Sequence, residues 1–143
     1  MKLQLDNKAL TDDFFADTHL LGIMAPIRNY QFAWQLNNHL GFSFRLNTDI
    51  DMQLRKKNRQ YFFSVYQHTE NSFLSYYLYH NHCDGEFLLP EFKHMDFLWL
   101  LKGDDVDEDA LSQLSNSIKT ISSVQMVAEL TSEMMKNKQH LVF

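Results

Sequence analysis

The chain has 143 residues, enough for one domain with a sizeable core. Hydrophobic residues make up 45% and aromatics 14%, with only 4 Gly and 2 Pro, which excludes intrinsic disorder and long flexible linkers. The formal net charge of −5 argues against nucleic acid and anionic membranes as partners.

The one cysteine, Cys83, excludes an internal disulfide and fits a reducing compartment. Residues 1–6 lack the apolar core of a signal peptide, and no stretch approaches the ~20 apolar residues of a membrane span. The expectation is a cytoplasmic protein with one domain over residues 1–143.

In chain order, Leu3 and Leu5 alternate with polar neighbours and predict a short first strand. His19–Ala25 predicts a second, buried one. Pro26 is placed for the first turn of a helix bearing Tyr30, Ala33, Trp34 and Asn37 on one face, with Leu36 and Leu40 extending the apolar arc. Gly41 is its stop signal. Phe42, Phe44 and Leu46 predict a third strand, and the polar run Thr48–Gln60 an exposed loop. Gln60–Gln67 and Ser72–His80 read as aromatic-rich strands, with His68–Asn71 as the connection of an antiparallel hairpin.

Asn81–Gly85 predicts a turn, with Asp84-Gly85 its strongest signal. Phe97–Leu101 is unbroken in apolar character, as a central strand would be. Asp105, Asp107, Glu108 and Asp109 load a helix start with negative charge, and Asp105 and Glu108 stand at capping-box spacing. Ala110, Leu111, Leu114, Ile118 and Ile121 form the stripe of that helix; Val124, Met126, Ala128 and Leu130 alternate into a last main strand. The apolar end, Leu141-Val142-Phe143, predicts a docked terminus. This order gives an α+β fold: a mainly antiparallel sheet, two main helices on one side, and a βαβ unit over residues 96–130 of ferredoxin-like or ACT-like character.

The hairpin is apolar on both faces. Tyr61, Phe63 and Val65 oppose Phe62 and Tyr66; Phe73, Tyr77 and Tyr79 oppose Leu74, Tyr76 and Leu78. Two helices cover only one side of such a sheet. A homodimer meeting through Tyr61, Phe63, Tyr77 and Tyr79 is the expected cover, with the 48–60 loop and the C-terminal segment folding over the face as the alternative.

Few residues promise chemistry. His80, His82, Cys83 and Asp84 hold metal-ligand types, but a zinc site draws on two separated clusters and no second one is present; a polar strand end is the stronger reading. Arg55, Lys56, Lys57 and Arg59 read as a solvated charge run. Phosphate loops, nucleophile elbows and zinc-helix motifs are missing from the sequence, so no cofactor is expected. Pro90, Glu91 and Asp96 remain. Proline holds Leu89 extended, and the two carboxylates stand just ahead of the central strand. They could form an acid/base pair, with His94 nearby, or accept backbone N–H groups at a structural joint; the joint is favoured.

Leu89-Pro90-Glu91 followed by Met95-Asp96-Phe97 resembles the pattern that names the IPExxxVDY family of small bacterial proteins. Leu20-Leu21-Gly22-Ile23, Tyr30, Ala33, Leu36-Asn37 and the closing Leu141-Val142-Phe143 extend the likeness over most of the chain. Phe97 stands where the pattern has Tyr, which removes a phenolic hydroxyl. The resemblance implies kinship of fold and carries no activity. The expected function is non-enzymatic binding as a homodimer, with a protein or small-molecule ligand as further partner. The alternatives are a small enzyme using Glu91 and Asp96, or a regulatory ligand-binding domain.

Overall fold

The structure, a computed structural model, describes residues 2–104 and 106–143, with residues 2–7 described by their backbone alone. The segment expected as a first strand is helical: α1 spans Lys2–Phe14. An alternation of two leucines is too short to outweigh the longer helical pattern that brings Thr11 and Phe14 inward. Strand β1 (Thr18–Met24) follows as expected, and α2 (Asn29–Leu40) ends at Gly41 in the left-handed conformation, φ 76°. Pro26 lies ahead of this helix rather than in its first turn, and Arg28 is the N-cap. The buried face of α2 is Phe32, Ala33 and Leu36, while Tyr30 and Trp34 point to solvent.

Strand β2 is only Arg45–Leu46. The expected 48–60 loop is instead a hairpin of β3 (Met52–Lys56) and β4 (Arg59–Phe63). Its two-residue turn, Lys57-Asn58, has both residues at positive φ, as a type I′ hairpin requires. Strands β5 (Val65–Asn71) and β6 (Leu74–His80) pair antiparallel, so His68–Asn71 belongs to a strand and the turn falls at Ser72-Phe73. Short strands β7 (His82–Cys83) and β8 (Glu86–Phe87) flank the expected Asp84-Gly85 turn.

Strand β9 (Phe97–Gly103) leads to α3 (Glu108–Lys119) and β10 (Met126–Leu130). Asp107 caps α3 by accepting from Ala110 N at 2.8 Å; the capping role expected of Asp105 lies outside the described residues. Leu111, Ile118 and Ile121 are buried, whereas Ala110 is exposed. In the last strand Ala128 and Leu130 share one face, as the alternation predicts, Val127 is buried on the opposite face, and Met126 is exposed.

Six strands form one antiparallel sheet in the order β10-β1-β9-β6-β5-β2. Strands β9 and β10 both pair antiparallel with β1 and so run parallel to each other, joined by α3. By the same reasoning β1 and β6 run parallel on either side of β9, with α2 in the connection between them. The inner order β10-β1-β9-β6 with α2 and α3 on one face is the double split-βαβ topology of ferredoxin-like folds. Strands β5 and β2 extend it. The class is α+β, as expected.

Both faces of the sheet are buried, which explains the unbroken apolar run in β9. Phe97, Trp99 and Leu101 face α2 and α3; Leu98 and Leu100 face the other way. The opposite layer holds Phe14 of α1, Met52 and Phe63 of the β3–β4 hairpin, Leu88, Leu89 and Met95 before β9, and Leu141 near the C-terminus. The expected homodimer cover is therefore corrected: Phe63 and Tyr79 are buried inside one chain, and Tyr61 and Tyr77 pack half-buried at the rim of that layer. Val65, Tyr77 and Tyr79 lie on one face and Tyr66, Leu74, Tyr76 and Leu78 on the other, as expected, whereas Phe62 and Phe73 are exposed and belong to neither layer; the chain covers the second face with its own hairpin and C-terminal segment. No helix among the described residues is long and apolar enough to cross a membrane.

Candidate functional site

Pro90, Glu91 and Asp96 lie in the connection between β6 and β9. Leu89 is extended at φ −115° and ψ 91°, and Pro90 opens a 3-10 turn over Pro90–Phe92. Leu88, Leu89 and Met95 drop their side chains into the second layer, which fixes the loop against the sheet.

The two carboxylates serve different neighbours. Asp96 Oδ2 accepts from Ala25 N at 2.7 Å, just past β1, while Asp96 N donates to Ile23 O at 2.9 Å. Asp96 thus fastens the start of β9 to the end of β1. Glu91 Oε2 accepts from Lys136 N at 2.5 Å and Asn137 N at 2.7 Å, and its Oε1 accepts from Asn137 Nδ2 at 2.9 Å. Glu91 therefore straps the C-terminal segment down. His140 Nδ1 donates to Leu88 O at 2.7 Å and the Tyr79 hydroxyl donates to Leu141 O at 2.8 Å, adding two more fastenings to the same segment.

Burial raises the Glu91 carboxyl, but the Asn137 side chain and the N–H groups of Glu91, Asn137 and Lys136 outweigh it and hold it below the usual carboxylate range. A carboxyl lowered by folding contributes stability above its unfolded value and loses it as pH falls through the folded value. The stability gap between the wild type and Glu91→Gln should therefore be widest near neutral pH and close as pH falls below the ordinary value of 4.5. Thermal melts across an acid series measure it. A gap that persists unchanged at pH 2 would sink the assignment.

The residue that organises the loop is one that composition alone would not single out. Asn81 is fully buried, and its side chain satisfies three backbone groups at once. Its Nδ2 donates to Phe92 O at 3.1 Å and Met95 O at 3.0 Å, and its Oδ1 accepts from Leu89 N at 2.9 Å. Its own N–H donates to Asp96 O and its carbonyl accepts from Leu88 N, both at 3.0 Å. The sequence signal was its place directly after a strand and before the Asp84-Gly85 turn, where Asn commonly bonds to local backbone.

Of the metal-ligand types in this region His80, His82 and Asp84 are otherwise engaged, and Cys83 is a half-buried free thiol. His80 stacks on Phe97 with ring centroids 5.2 Å apart, and burial, then His82, pushes it below the usual histidine range while Asp96 pulls the other way. His82 Nε2 accepts from Gly85 N, and Asp84 pairs with Arg59 at 2.8 Å. Among the described residues no group of three or more His, Cys, Asp or Glu side chains is arranged to hold a metal ion. The charge run is partly neutralised, with Lys56 pairing to Glu86 at 2.9 Å and Arg59 lying over the Tyr61 ring.

The site is thus a joint in an α+β fold with a ferredoxin-like core, in which both carboxylates accept backbone hydrogen bonds. No protein-family model matches this chain, and no curated protein matches it in sequence.

Proposed function

We propose that this chain is a non-enzymatic, cytoplasmic binding protein that acts by association, with a second copy of itself as partner. The observation that supports its non-enzymatic part is the engagement of Glu91 and Asp96 by backbone N–H groups, which leaves the acid/base reading without a free carboxylate pair. The residues carrying the resemblance to the IPExxxVDY proteins, Pro90, Glu91 and Asp96, then mark a way of closing a fold. That likeness is part of the proposal. The ferredoxin-like core favours one second reading, a regulatory domain for a small ligand, by analogy of fold.

Glu91→Gln and Asp96→Asn test the main reading. Glu91→Gln turns one acceptor position into a donor facing donors, whereas Asp96→Asn keeps an oxygen for Ala25 N but loses the charge that strengthens that bond; each should lose about 1 kcal/mol, or roughly 3–5 °C in Tm. Oligomeric state should be unchanged, because neither residue is placed at an interface. Variants that melt like the wild type but no longer bind or turn over a ligand would favour the enzyme instead.

A further inference from the structure

The geometry points to the outer edge of β10 as the place where two copies of this chain join, each β10 pairing antiparallel with the other; the inference rests on the self-association proposed above. Strand β10 stands at one end of the sheet order, and among the described residues no strand pairs with its outer side. Such an edge turns alternate N–H and C=O groups outward, and the element that satisfies them in series is another extended strand. Edges that resist pairing carry Lys, Pro, a bulge or very few residues. Met126–Leu130 holds no Lys or Pro, its one charged residue is Glu129, and its register against β1 is regular throughout. The opposite edge of the sheet is protected, since β2 is only Arg45 and Leu46.

Charge selects the occupant. An open groove of about 390 Å³ runs between α3 and β10, lined by Glu108, Ser112, Ser115, Asn116, Lys119 and Glu129 among others. Helix α2 packs beside α3 and takes no part in this lining, so the groove lies on the flank toward the open edge. The connection from α3 to β10 is short, residues 120–125, so the strand runs back under the helix with Lys119 above its start and Glu108 above its end. Lys119 and Glu129 are exposed, and among the described residues neither is in an ion pair.

Pairing β10 with its copy about a two-fold axis at Ala128 sets Ala128 against Ala128, Met126 against Leu130 and Val127 against Glu129. Val127 belongs to the core on the α3 side, and Glu129, two residues on, shares that face. Glu129 of each copy therefore arrives beside Val127 of the other, at the Lys119 end of the groove, with Ser115 and Asn116 as further donors. It meets a cation there, and faces the other Glu129 only on the diagonal. Two such pairs form in one dimer, and they offset the repulsion between two chains of formal charge −5.

Sedimentation equilibrium of the full chain over a micromolar range, with Lys119→Glu, Glu129→Lys and their equimolar mixture, tests this. The wild type should dimerise, and each variant alone should associate roughly 10-fold more weakly or worse. Its circular dichroism spectrum should be unchanged, because both positions are exposed. The mixture should recover dimer, since a Lys119→Glu copy and a Glu129→Lys copy bring opposite charges together at both pairs. Amides of residues 126–130 should also exchange more slowly where the wild type is dimeric than where it is monomeric. Single variants that dimerise like the wild type, a mixture that stays monomeric, or a dimer without added protection at 126–130 would overturn this edge and leave self-association elsewhere intact. A wild type monomeric throughout the range would overturn self-association itself. In such a monomer, protection of 126–130 by a synthetic peptide of alternating threonine and lysine would assign the edge to an extended segment of another protein.

Discussion

Asn81→Ala should lose roughly 3–5 kcal/mol of stability, the largest effect expected of any single change around the β6–β9 joint. Alanine would leave Leu89 N and Met95 O without the side-chain partner that now serves them in the interior, and would take one of two donors from Phe92 O, which keeps Met95 N. Backbone groups buried without partners carry their full desolvation penalty. Asn81→Asp should fare little better, because a carboxylate supplies an acceptor for Leu89 N but sets negative charge against two carbonyl oxygens. Urea midpoints at constant m-value measure both. A loss below 1 kcal/mol for Asn81→Ala would mean that the loop is held by the burial of Leu88, Leu89 and Met95 alone.

Gly103→Ala is the second large expected effect, at roughly 2–4 kcal/mol. A methyl group there would sit 1.9 Å from Phe73 O and 2.8 Å from Leu74 Cα, both backbone atoms that no side-chain rotation can move. The φ of 154° adds its own strain for an L-residue. Gly103 is also paired with Leu74 and donates its N–H to Asp17 O at 3.0 Å, so any retreat of the chain disturbs the end of β9 and the turn after α1 together. The same urea titration reads this loss, and hydrogen exchange should localise it to the β6–β9 ladder. A variant as stable as the wild type would require β6 to have slid along β9.

Much of the fold was legible because its inner elements are strongly patterned. Strands β1 and β9 announce themselves as apolar runs, and α3 by its acidic start and its Leu111-to-Ile118 stripe. Gly41 marked the end of α2 correctly. The sense of that helix was misjudged, since Tyr30 and Trp34 look like core residues by type yet stand on the outer side. Polar strands were harder to recognise. The β3–β4 hairpin carries Gln53, Arg55, Lys56, Arg59 and Gln60 on exposed positions, and Lys57 is an unusual residue for a positive-φ turn. The joint was half legible. Pro90 predicts the extended Leu89, and acidic residues beside a turn suggest backbone bonds. That Glu91 reaches residues 136–137, or that three backbone groups converge on Asn81, depends on segments far apart in sequence, and local pattern cannot show it.

Strand β1 has a consequence for the order in which the molecule can form during synthesis. Both of its hydrogen-bonding neighbours, β9 and β10, come late in the chain, so the earliest strand to be made waits for residues 97–130 before its backbone has partners. Until then Leu20, Leu21 and Ile23 have no sheet to join, while β5 and β6 can already close as a local hairpin. Folding should therefore begin from the middle of the sequence and capture the N-terminal strand last among the inner four, with β1 sliding between two strands that α3 has brought side by side. A ribosome-bound chain stalled before residue 97 would hold the apolar β1 segment without either of its hydrogen-bonding neighbours, exposed to the contacts that lead nascent chains to aggregate.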